Sequence, residues 1–263
     1  MDGTTRERIA TRSADDIARI REAGLVVWEV LEALSAAAVA GTTTLELDRL
    51  AADRTRALGA EPAFLGYHGY PACLCASVND EVIHGIPSKR VLRAGDVVGL
   101  DYGVVLRGWY ADSARTVAVG QPPPEAARLL AATRNGLASA IAAARAGHRI
   151  GDIGAAVQRY VEERGYSVVR DFVGHGIGRR LHEPPQVPNY GRAGSGASLR
   201  VGMVLAIEPM VNAGGCEVET LDDGWTARTL DRSLSAHFEH TIAVTENGPE
   251  ILTLPPGVEF RVE

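Results

Sequence analysis

Lysine, cysteine and long apolar runs are all scarce in this chain of 263 residues. Lys89 is the only lysine. The three cysteines, Cys73, Cys75 and Cys216, cannot all pair with one another, which favours a reducing cytoplasm and small buried thiols. The run of small and apolar residues at 35–40 is far too short to span a membrane. Because the first residues also lack the apolar stretch of a signal peptide, we expect a soluble, cytoplasmic protein with no membrane partner.

Positive charge is in deficit, with a formal net charge of −6 and a pI near 5.7. The arginines are scattered from Arg6 to Arg261 and do not form a basic cluster. This charge pattern disfavours a protein that binds nucleic acid through its overall charge, and no sequence-specific nucleic-acid partner is expected. The fractions of hydrophobic (46%) and charged (23%) residues are those of an ordinary folded protein.

Hydrophobic periodicity predicts helix pairs and strands in a repeated order. The first helix is predicted to begin at Ser13, which forms a capping box with Asp16, and to end at Gly41. A second capping box opens a helix at 43–59. Further helices are predicted at 125–146 and 150–164, and strands at 74–78, 96–105, 109–119, 203–210 and 237–244.

The repeated order predicts an α+β fold with two similar halves, about 13–120 and 122–250. Two ordinary helix pairs with glycine caps are the alternative interpretation. If the repeat is real, the halves share one sheet and a site lies between them. Because no segment resembles a linker, we expect a single catalytic domain over 13–263, preceded by an N-terminal tail at 1–12.

Two aspartates stand in the predicted hairpin where carboxylates are costly. Asp101 lies in an apolar strand and Asp112 lies on the return strand. A loop centred on Leu106 and Arg107 would make the two aspartates direct cross-strand partners. Facing carboxylates repel unless a cation or a shared proton lies between them, so the pair indicates a metal site. An exposed pair on a solvated face is the alternative.

The same anomaly recurs later in the chain. Glu208 lies in a second apolar strand and Glu239 lies just before another apolar run, while His175 is flanked by glycines. A single buried glutamate is more often a paired structural acid, but four acids in strand contexts are harder to explain in this way. Four carboxylates and one imidazole suffice for two divalent cations with an open water position, which makes hydrolysis the expected reaction.

Several short motifs coincide with these residues, and together they cover almost the whole chain. On these motifs the sequence resembles the type I methionine aminopeptidases, which have the pita-bread (creatinase/aminopeptidase-like) fold. The resemblance implies pseudo-two-fold halves around an antiparallel sheet, with helices on the outer face. The motifs are GYHGYP at 66–71, SVNDEVIHGIP at 77–87, GHGIG at 174–178, HEPPQV at 182–187, IEPM at 207–210, DGW at 223–225 and FEHT at 238–241.

The resemblance also implies a role for each matching residue. Glu208 matches the base that takes a proton from the attacking water. His84 matches a contact near the substrate's free α-amino end, and His182 a contact near the scissile carbonyl. Asp112 and Glu239 match the ligands that bridge the two ions. The implied metal ligands are Asp101, Asp112, His175, Glu208 and Glu239.

A methionine side-chain pocket is implied as well. Tyr67, Tyr70, Cys75 and Trp225 match its aromatic and soft lining, which suits a thioether. Phe64 and Leu181 depart from the residues common in bacterial relatives, and an exchange of large and small groups across the pocket would explain both. The family also binds a monovalent cation, Na or K, near the positions of Asn79 and Ser235.

The resemblance implies a metal-dependent exopeptidase that removes the initiator methionine from nascent polypeptides when the second residue is small. Two divalent ions (Co, Mn, Fe(II) or Zn), transient proximity to ribosomes and a monomeric state are expected. A proline-specific aminopeptidase or creatinase-like hydrolase is the alternative within the fold. It is disfavoured because only about a dozen residues precede the first predicted helix. A catalytically silent binding protein is the alternative from another class, and such a protein would lose metal ligands.

Overall fold

The computed structural model describes residues 9–260 and has four α-helices among antiparallel strands. The helices are α1 (Ala14–Ala37), α2 (Thr44–Ala57), α3 (Pro124–Ala143) and α4 (Ile150–Glu162). The strands are β1 (Glu61–Pro62), β2 (Cys75–Val78), β3 (Glu81–Ile83), β4 (Val97–Leu106), β5 (Trp109–Ala118), β6 (Ser167–Val168), β7 (Gly174–Gly176), β8 (Glu183–Val187), β9 (Val204–Ile207), β10 (Met210–Asn212), β11 (Val218–Thr220), β12 (Ala227–Thr229), β13 (Ser235–His237), β14 (His240–Thr245) and β15 (Gly248–Ile251).

The predicted helix starts are confirmed, but two predicted helix ends are wrong. Both capping boxes form, at Ser13 before α1 and at Thr43 before α2. α1 ends at Ala37 and not at Gly41, because the amide of Gly41 donates to the carbonyl of Leu92 and joins the turn into α2. α3 ends at Ala143 for the same reason, since the amide of Gly147 donates to the carbonyl of Leu199.

The β4–β5 hairpin forms, but its predicted register is wrong. Asp101 is paired with Ala114, and Asp112 is paired with Gly103. The turn is centred on Arg107 and Gly108, which have φ angles of 51° and 77° as a two-residue hairpin turn requires. Asp101 and Asp112 therefore lie diagonally on one face of the hairpin instead of directly opposite each other.

Both later strands that were predicted as continuous are broken at their glutamates. β9 and β14 belong to a five-stranded sheet of order β15-β14-β9-β7-β8, whereas β10 and β13 belong to a three-stranded sheet of order β13-β10-β6. Glu208 lies at the first break, beside Pro209, which has no amide hydrogen for a ladder. Glu239 lies at the second break, where its amide donates to the carbonyl of Ala114 at 2.9 Å.

The sheets pack against helices through two large apolar clusters. One cluster joins α1 and α2 to β2, β4 and β5, and the other joins α3 and α4 to β9 and β14. Every strand pair among residues 9–260 is antiparallel, as predicted. The division into two similar halves stays a prediction. No helix in the described part of the chain is both long and apolar enough to cross a membrane.

The cysteines are only partly as predicted. Cys73 is buried just before β2 and Cys75 is buried at its start, but Cys216 is only half-buried, so the prediction of three buried thiols is wrong for Cys216. It lies in the loop before β11, outside the apolar clusters formed by the described residues.

Candidate metal centre

The predicted site residues line one cleft, although they come from distant parts of the chain. The cleft has a volume of about 400 Å³. It lies where the β4–β5 hairpin meets the five-stranded sheet. Its lining comprises Phe64, Tyr67, His68, Tyr70, Cys75, His84, Asp101, Asp112, His175, Leu181, His182, Glu208, Trp225 and Glu239.

Three of the predicted ligands form a compact cluster at the base of the cleft. One side-chain atom each from Asp112, His175 and Glu239 lies within 4.8 Å of the others. Glu208 approaches the same cluster, with Oε1 3.4 Å from Nε2 of His175. Asp101 lies diagonally across the hairpin from Asp112 on the same face. The structure thus brings together all five residues that the sequence analysis selected as ligands.

Three carboxylates of the site each have a buried oxygen without a hydrogen-bond partner among the described residues. Oδ1 of Asp101, Oδ1 of Asp112 and Oε1 of Glu239 are buried and accept no hydrogen bond from the described residues. Burial is the main reason that the pKa of Asp112 rises to about 7. Burial and the neighbouring carboxylates also raise the pKa of Glu239 well above its usual range. A buried group of unpaired carboxylate oxygens fits a divalent cation, which would compensate their charge.

His175 supplies the nitrogen donor of the cluster. Its Nδ1 lies 3.0 Å from the carbonyl oxygen of Gly176, which can only accept, so Nδ1 carries the proton. Nε2 is therefore unprotonated, and its lone pair, which a metal ion could bind, lies on the side facing Glu208. Burial lowers the pKa of His175 to about 3, which keeps the imidazole neutral. One imidazole among oxygen ligands fits Mn, Fe or Co type ions better than a thiolate site does.

Hydrogen bonds from Ser113 and Thr241 hold the two ligand-bearing segments together. The amide of Asp112 donates to Oγ1 of Thr241 at 3.0 Å, and the hydroxyl of Thr241 donates to the carbonyl of Asp112 at 2.7 Å. The hydroxyl of Ser113 donates to the carbonyl of Glu239 at 2.5 Å. These bonds fix β5 against β14, so the two predicted bridging carboxylates have a rigid backbone.

His84 and His182 lie on different walls of the cleft. His84 has a left-handed φ of 59° and contacts the rings of Phe172 and Trp225 edge-on. Burial lowers the pKa of His84 to about 4. His182 lies just before β8, with Nδ1 2.7 Å from the hydroxyl of Tyr67. Its ring centroid is 4.1 Å from that of His175, so this imidazole lies directly beside that of a predicted metal ligand.

The predicted side-chain pocket is largely apolar. The hydroxyl of Tyr70 donates to the carbonyl of Leu74 at 3.0 Å, and its ring packs edge-on against Trp225. Cys75 is paired with Asp101 in the β2–β4 ladder, which places its thiol beside the carboxylates, and burial raises the pKa of that thiol.

Phe64 and Leu181, the two departures from the bacterial pattern, are both buried in this lining. The ring of Phe64 lies edge-on to Tyr102. It fits only because residue 103 is glycine, since a Cβ there would lie 2.7 Å from Cε1 of Phe64.

Two histidines near the cleft were not selected as site residues from the sequence. His68 lines the mouth of the cleft beside Tyr67. His237 is buried, and its Nε2 has no hydrogen-bond partner and lies 4.0 Å from Oε2 of Glu208. In the sequence, only its position two residues before Glu239 could have indicated that His237 lies near the site.

The positions matched to a monovalent cation lie outside the cleft lining. The amide of Ser235 donates to the carbonyl of Asn79 at 2.9 Å, so the two residues are adjacent. The side chain of Asn79 donates to Asp96, and the hydroxyl of Ser235 donates to the side chain of Asn212.

Comparison with known proteins gives consistent results. A sequence model of metallopeptidase family M24 matches residues 18–246. The methionine aminopeptidase of Clostridium acetobutylicum is 51% identical over 247 residues, which cover 94% of this chain and 99% of that protein. The crystal structure of methionine aminopeptidase from Thermotoga maritima superposes with a TM-score of 0.93 at 45% identity, covering 94% of this chain and 100% of that chain.

A more distant structure, prolidase from Pyrococcus furiosus, superposes with a TM-score of 0.77 at 22% identity. This match covers 94% of the chain but only 66% of the prolidase, and at such low identity it shows the fold alone. Together the structural matches confirm the expected pita-bread fold.

Proposed function

The chain belongs to metallopeptidase family M24, and we propose that it is a methionine aminopeptidase. It hydrolyses the peptide bond that follows an N-terminal methionine, in a reaction that depends on divalent metal. The buried cluster of Asp112, His175 and Glu239, whose carboxylates are otherwise uncompensated, is the observation that carries this proposal. The similarity to methionine aminopeptidases over nearly the whole chain supports the choice of substrate.

Five residues of the cleft would hold two divalent ions. Asp112 comes from β5 and Glu239 directly precedes β14, and both would contact the ions. The ions, when bound, make water nucleophilic at neutral pH and polarise the substrate carbonyl. Co, Mn, Fe(II) and Zn are the candidate metals. The five residues are Asp101, Asp112, His175, Glu208 and Glu239.

Side chains around the substrate carry out the proton transfer and stabilise the charge that develops on the carbonyl oxygen. Glu208 takes the proton of the attacking water, since its carboxylate faces the cluster. Nδ1 of His182 lies 2.7 Å from the hydroxyl of Tyr67, which donates to Nδ1 when the proton of His182 is on Nε2. In that tautomer Nε2 donates a hydrogen bond to the carbonyl oxygen as negative charge develops there.

The α-amino group and the methionine side chain bind on the other side of the cleft. His84 lies near the α-amino group and stays neutral at pH 7, so it does not repel the charged amine. The thioether packs against Tyr70, Cys75 and Trp225, which offer aromatic and polarisable surface. Phe64 and Leu181 complete the lining and set the length of side chain that fits.

We also propose the cellular setting that follows from this activity. The substrates are newly made polypeptides whose second residue is small, because a closed cleft excludes bulk by steric clash. The enzyme would act in the cytoplasm, as a single catalytic domain of two similar halves, as a monomer and in transient proximity to ribosomes. A monovalent cation, Na or K, would bind near Asn79 and Ser235, outside the cleft.

A peptide assay on metal-stripped protein tests the proposal. Met-Gly-Met-Met and an Ala-Pro peptide are each incubated with Co, Mn, Fe(II) or Zn added in turn. Release of methionine from the first peptide alone, and only with metal, is the expected result. Asp112→Asn should abolish release, whereas Asp53→Asn, on the exposed face of α2, should not. Cleavage of the Ala-Pro peptide instead would assign the chain to proline-specific hydrolysis, and no turnover despite bound metal would indicate a silent homologue.

A further inference from the structure

The loop between β7 and β8 carries two residues of the cleft. It spans 177–182, where Leu181 lines the side-chain pocket and His182 lies beside His175. Leu181 and His182 belong to no strand, so the position of the loop decides where their side chains lie. Contacts outside the cleft that hold this loop in place therefore also determine the positions of Leu181 and His182.

Glu183, the first residue of β8, holds this loop through its carboxylate. Oε1 accepts hydrogen bonds from the amides of Arg179 and Arg180, at 2.7 and 3.0 Å. Both amides lie within four residues of the carboxylate along the chain, so the side chain closes the loop on itself. The other oxygen, Oε2, accepts a hydrogen bond from the guanidinium of Arg12. Only 8% of the Glu183 side chain is exposed, so this ion pair is largely shielded from water.

Arg12 reaches the loop from a segment 171 residues away in sequence. Its amide donates to the carbonyl of Gly202 at 2.7 Å, which fixes the backbone from which the side chain extends. The guanidinium lies directly over Gly178 at the start of the loop, where a Cβ would lie 2.7 Å from it. It also approaches the ring of Trp109 on β5.

We propose that Arg12 is a positioning residue that fixes the β7–β8 loop through Glu183, and with it His182 and Leu181. The inference rests on the proposed function, because it takes His182 as the contact to the substrate carbonyl and Leu181 as part of the side-chain pocket. Breaking one partner of a buried ion pair leaves an uncompensated charge, so loss of Arg12 displaces Glu183 and the amides that it holds. A displacement of about 1 Å at a group that contacts the reacting carbonyl is enough to lower the rate substantially.

The test compares Arg12→Ala, Arg12→Lys and Glu183→Gln with a matched control. Arg21→Ala breaks a different ion pair, between Arg21 of α1 and Glu250 of β15, and leaves the ion pair between Arg12 and Glu183 in place. With metal-loaded protein and Met-Gly-Met-Met, we expect Arg12→Ala and Glu183→Gln to lower kcat about tenfold with little change in KM. Arg12→Lys should retain most of the activity, and Arg21→Ala should retain all of it.

Two further measurements separate positioning from a general loss of stability. The phosphonate analogue of methionine has a tetrahedral anionic group that resembles the carbonyl carbon after water has added to it. Arg12→Ala should therefore weaken binding of the phosphonate more than it weakens binding of methionine. Hydrogen exchange of the amides at 177–183 should accelerate in Arg12→Ala and Glu183→Gln but not in Arg21→Ala. Exchange requires no turnover, so this measurement distinguishes failure of the inference from failure of the proposed function.

Unchanged kcat, phosphonate affinity and loop exchange in folded Arg12→Ala would overturn the inference. An equal loss of kcat in Arg21→Ala would also overturn it, because a general weakening of the fold would then explain the result. If Arg12→Ala does not fold, Glu183→Gln tests the inference instead. The side-chain amide oxygen of glutamine can still accept hydrogen bonds from the amides of Arg179 and Arg180, whereas the ion pair with Arg12 is lost.

Discussion

The backbone of Asp112 and the hydroxyl of Thr241 are joined by two hydrogen bonds, one in each direction. Thr241 is fully buried, and no water can replace its hydroxyl. Thr241→Val keeps the shape but leaves an amide and a carbonyl unpaired, so we expect the free energy of unfolding to fall by roughly 1–3 kcal/mol for each unpaired group. Because Asp112 then loses its fixed backbone, divalent metal should also bind about tenfold more weakly, as measured by calorimetry.

The matched control for that variant is Thr133→Val in α3. Thr133 is also fully buried, but its hydroxyl donates to the carbonyl of Leu129 within the helix, away from the cleft. We expect a loss of stability without a change in metal affinity. Equal metal affinity in Thr241→Val and the wild-type protein would contradict the positioning role of Thr241.

His237 is expected to orient the carboxylate of Glu208. Its Nε2 has no hydrogen-bond partner in the described structure and lies 4.0 Å from Oε2 of Glu208, so a small movement would join them. His237→Leu fills a similar space without a polar atom, and we expect kcat to fall about tenfold. His237→Gln, which restores a donor, should recover most of the loss. If both variants have the same kcat, packing alone accounts for His237.

Gly103 is expected to set the side-chain specificity through Phe64. A Cβ at residue 103 would lie 2.7 Å from Cε1 of Phe64 and push the ring toward the pocket. Gly103→Ala should therefore change the ratio of kcat/KM between methionine and norleucine substrates about tenfold. It should also lower the free energy of unfolding by roughly 1–3 kcal/mol.

Two variants control for this effect. Gly99→Ala, on the same strand, places a Cβ no closer than 3.6 Å to its neighbours and should leave the ratio unchanged. Phe64→Cys combined with Gly103→Ala should relieve the clash. Should Phe64→Cys alone leave the relative kinetics on methionine and longer side chains unchanged, then Phe64 does not shape the pocket.

His84 makes the stability of the metal-free protein depend on pH. Burial lowers its pKa in the folded chain to about 4, from an ordinary value of 6.5. Between these values the unfolded chain binds a proton that the folded chain does not, so the free energy of unfolding decreases as the pH falls. His84→Gln should make this decrease shallower in urea unfolding at pH 4.5 and 7.5. The exposed His148→Gln is the control, and equal slopes in all three proteins would contradict the prediction.

Much of the fold follows from interactions between residues close together in sequence. A capping box needs only residues three apart, which is why Ser13 and Thr43 predicted where α1 and α2 begin. Carboxylates within or beside apolar strands likewise marked four acids as residues that need a cation: Asp101, Asp112, Glu208 and Glu239. These acids, together with the residues implied by the resemblance to the type I methionine aminopeptidases, allowed the cleft lining to be predicted almost completely from the sequence.

The tertiary structure alone decided how these pieces meet. The hairpin register depends on left-handed angles at Arg107 and Gly108, and the ends of α1 and α3 depend on hydrogen bonds from Gly41 and Gly147 to distant carbonyls. The breaks at both glutamates, the approach of His237 and the reach of Arg12 across to Glu183 depend on how separate segments pack. Sequence patterns report local propensity and burial, whereas these features arise from long-range hydrogen bonds and ion pairs that exist only once the chain has folded.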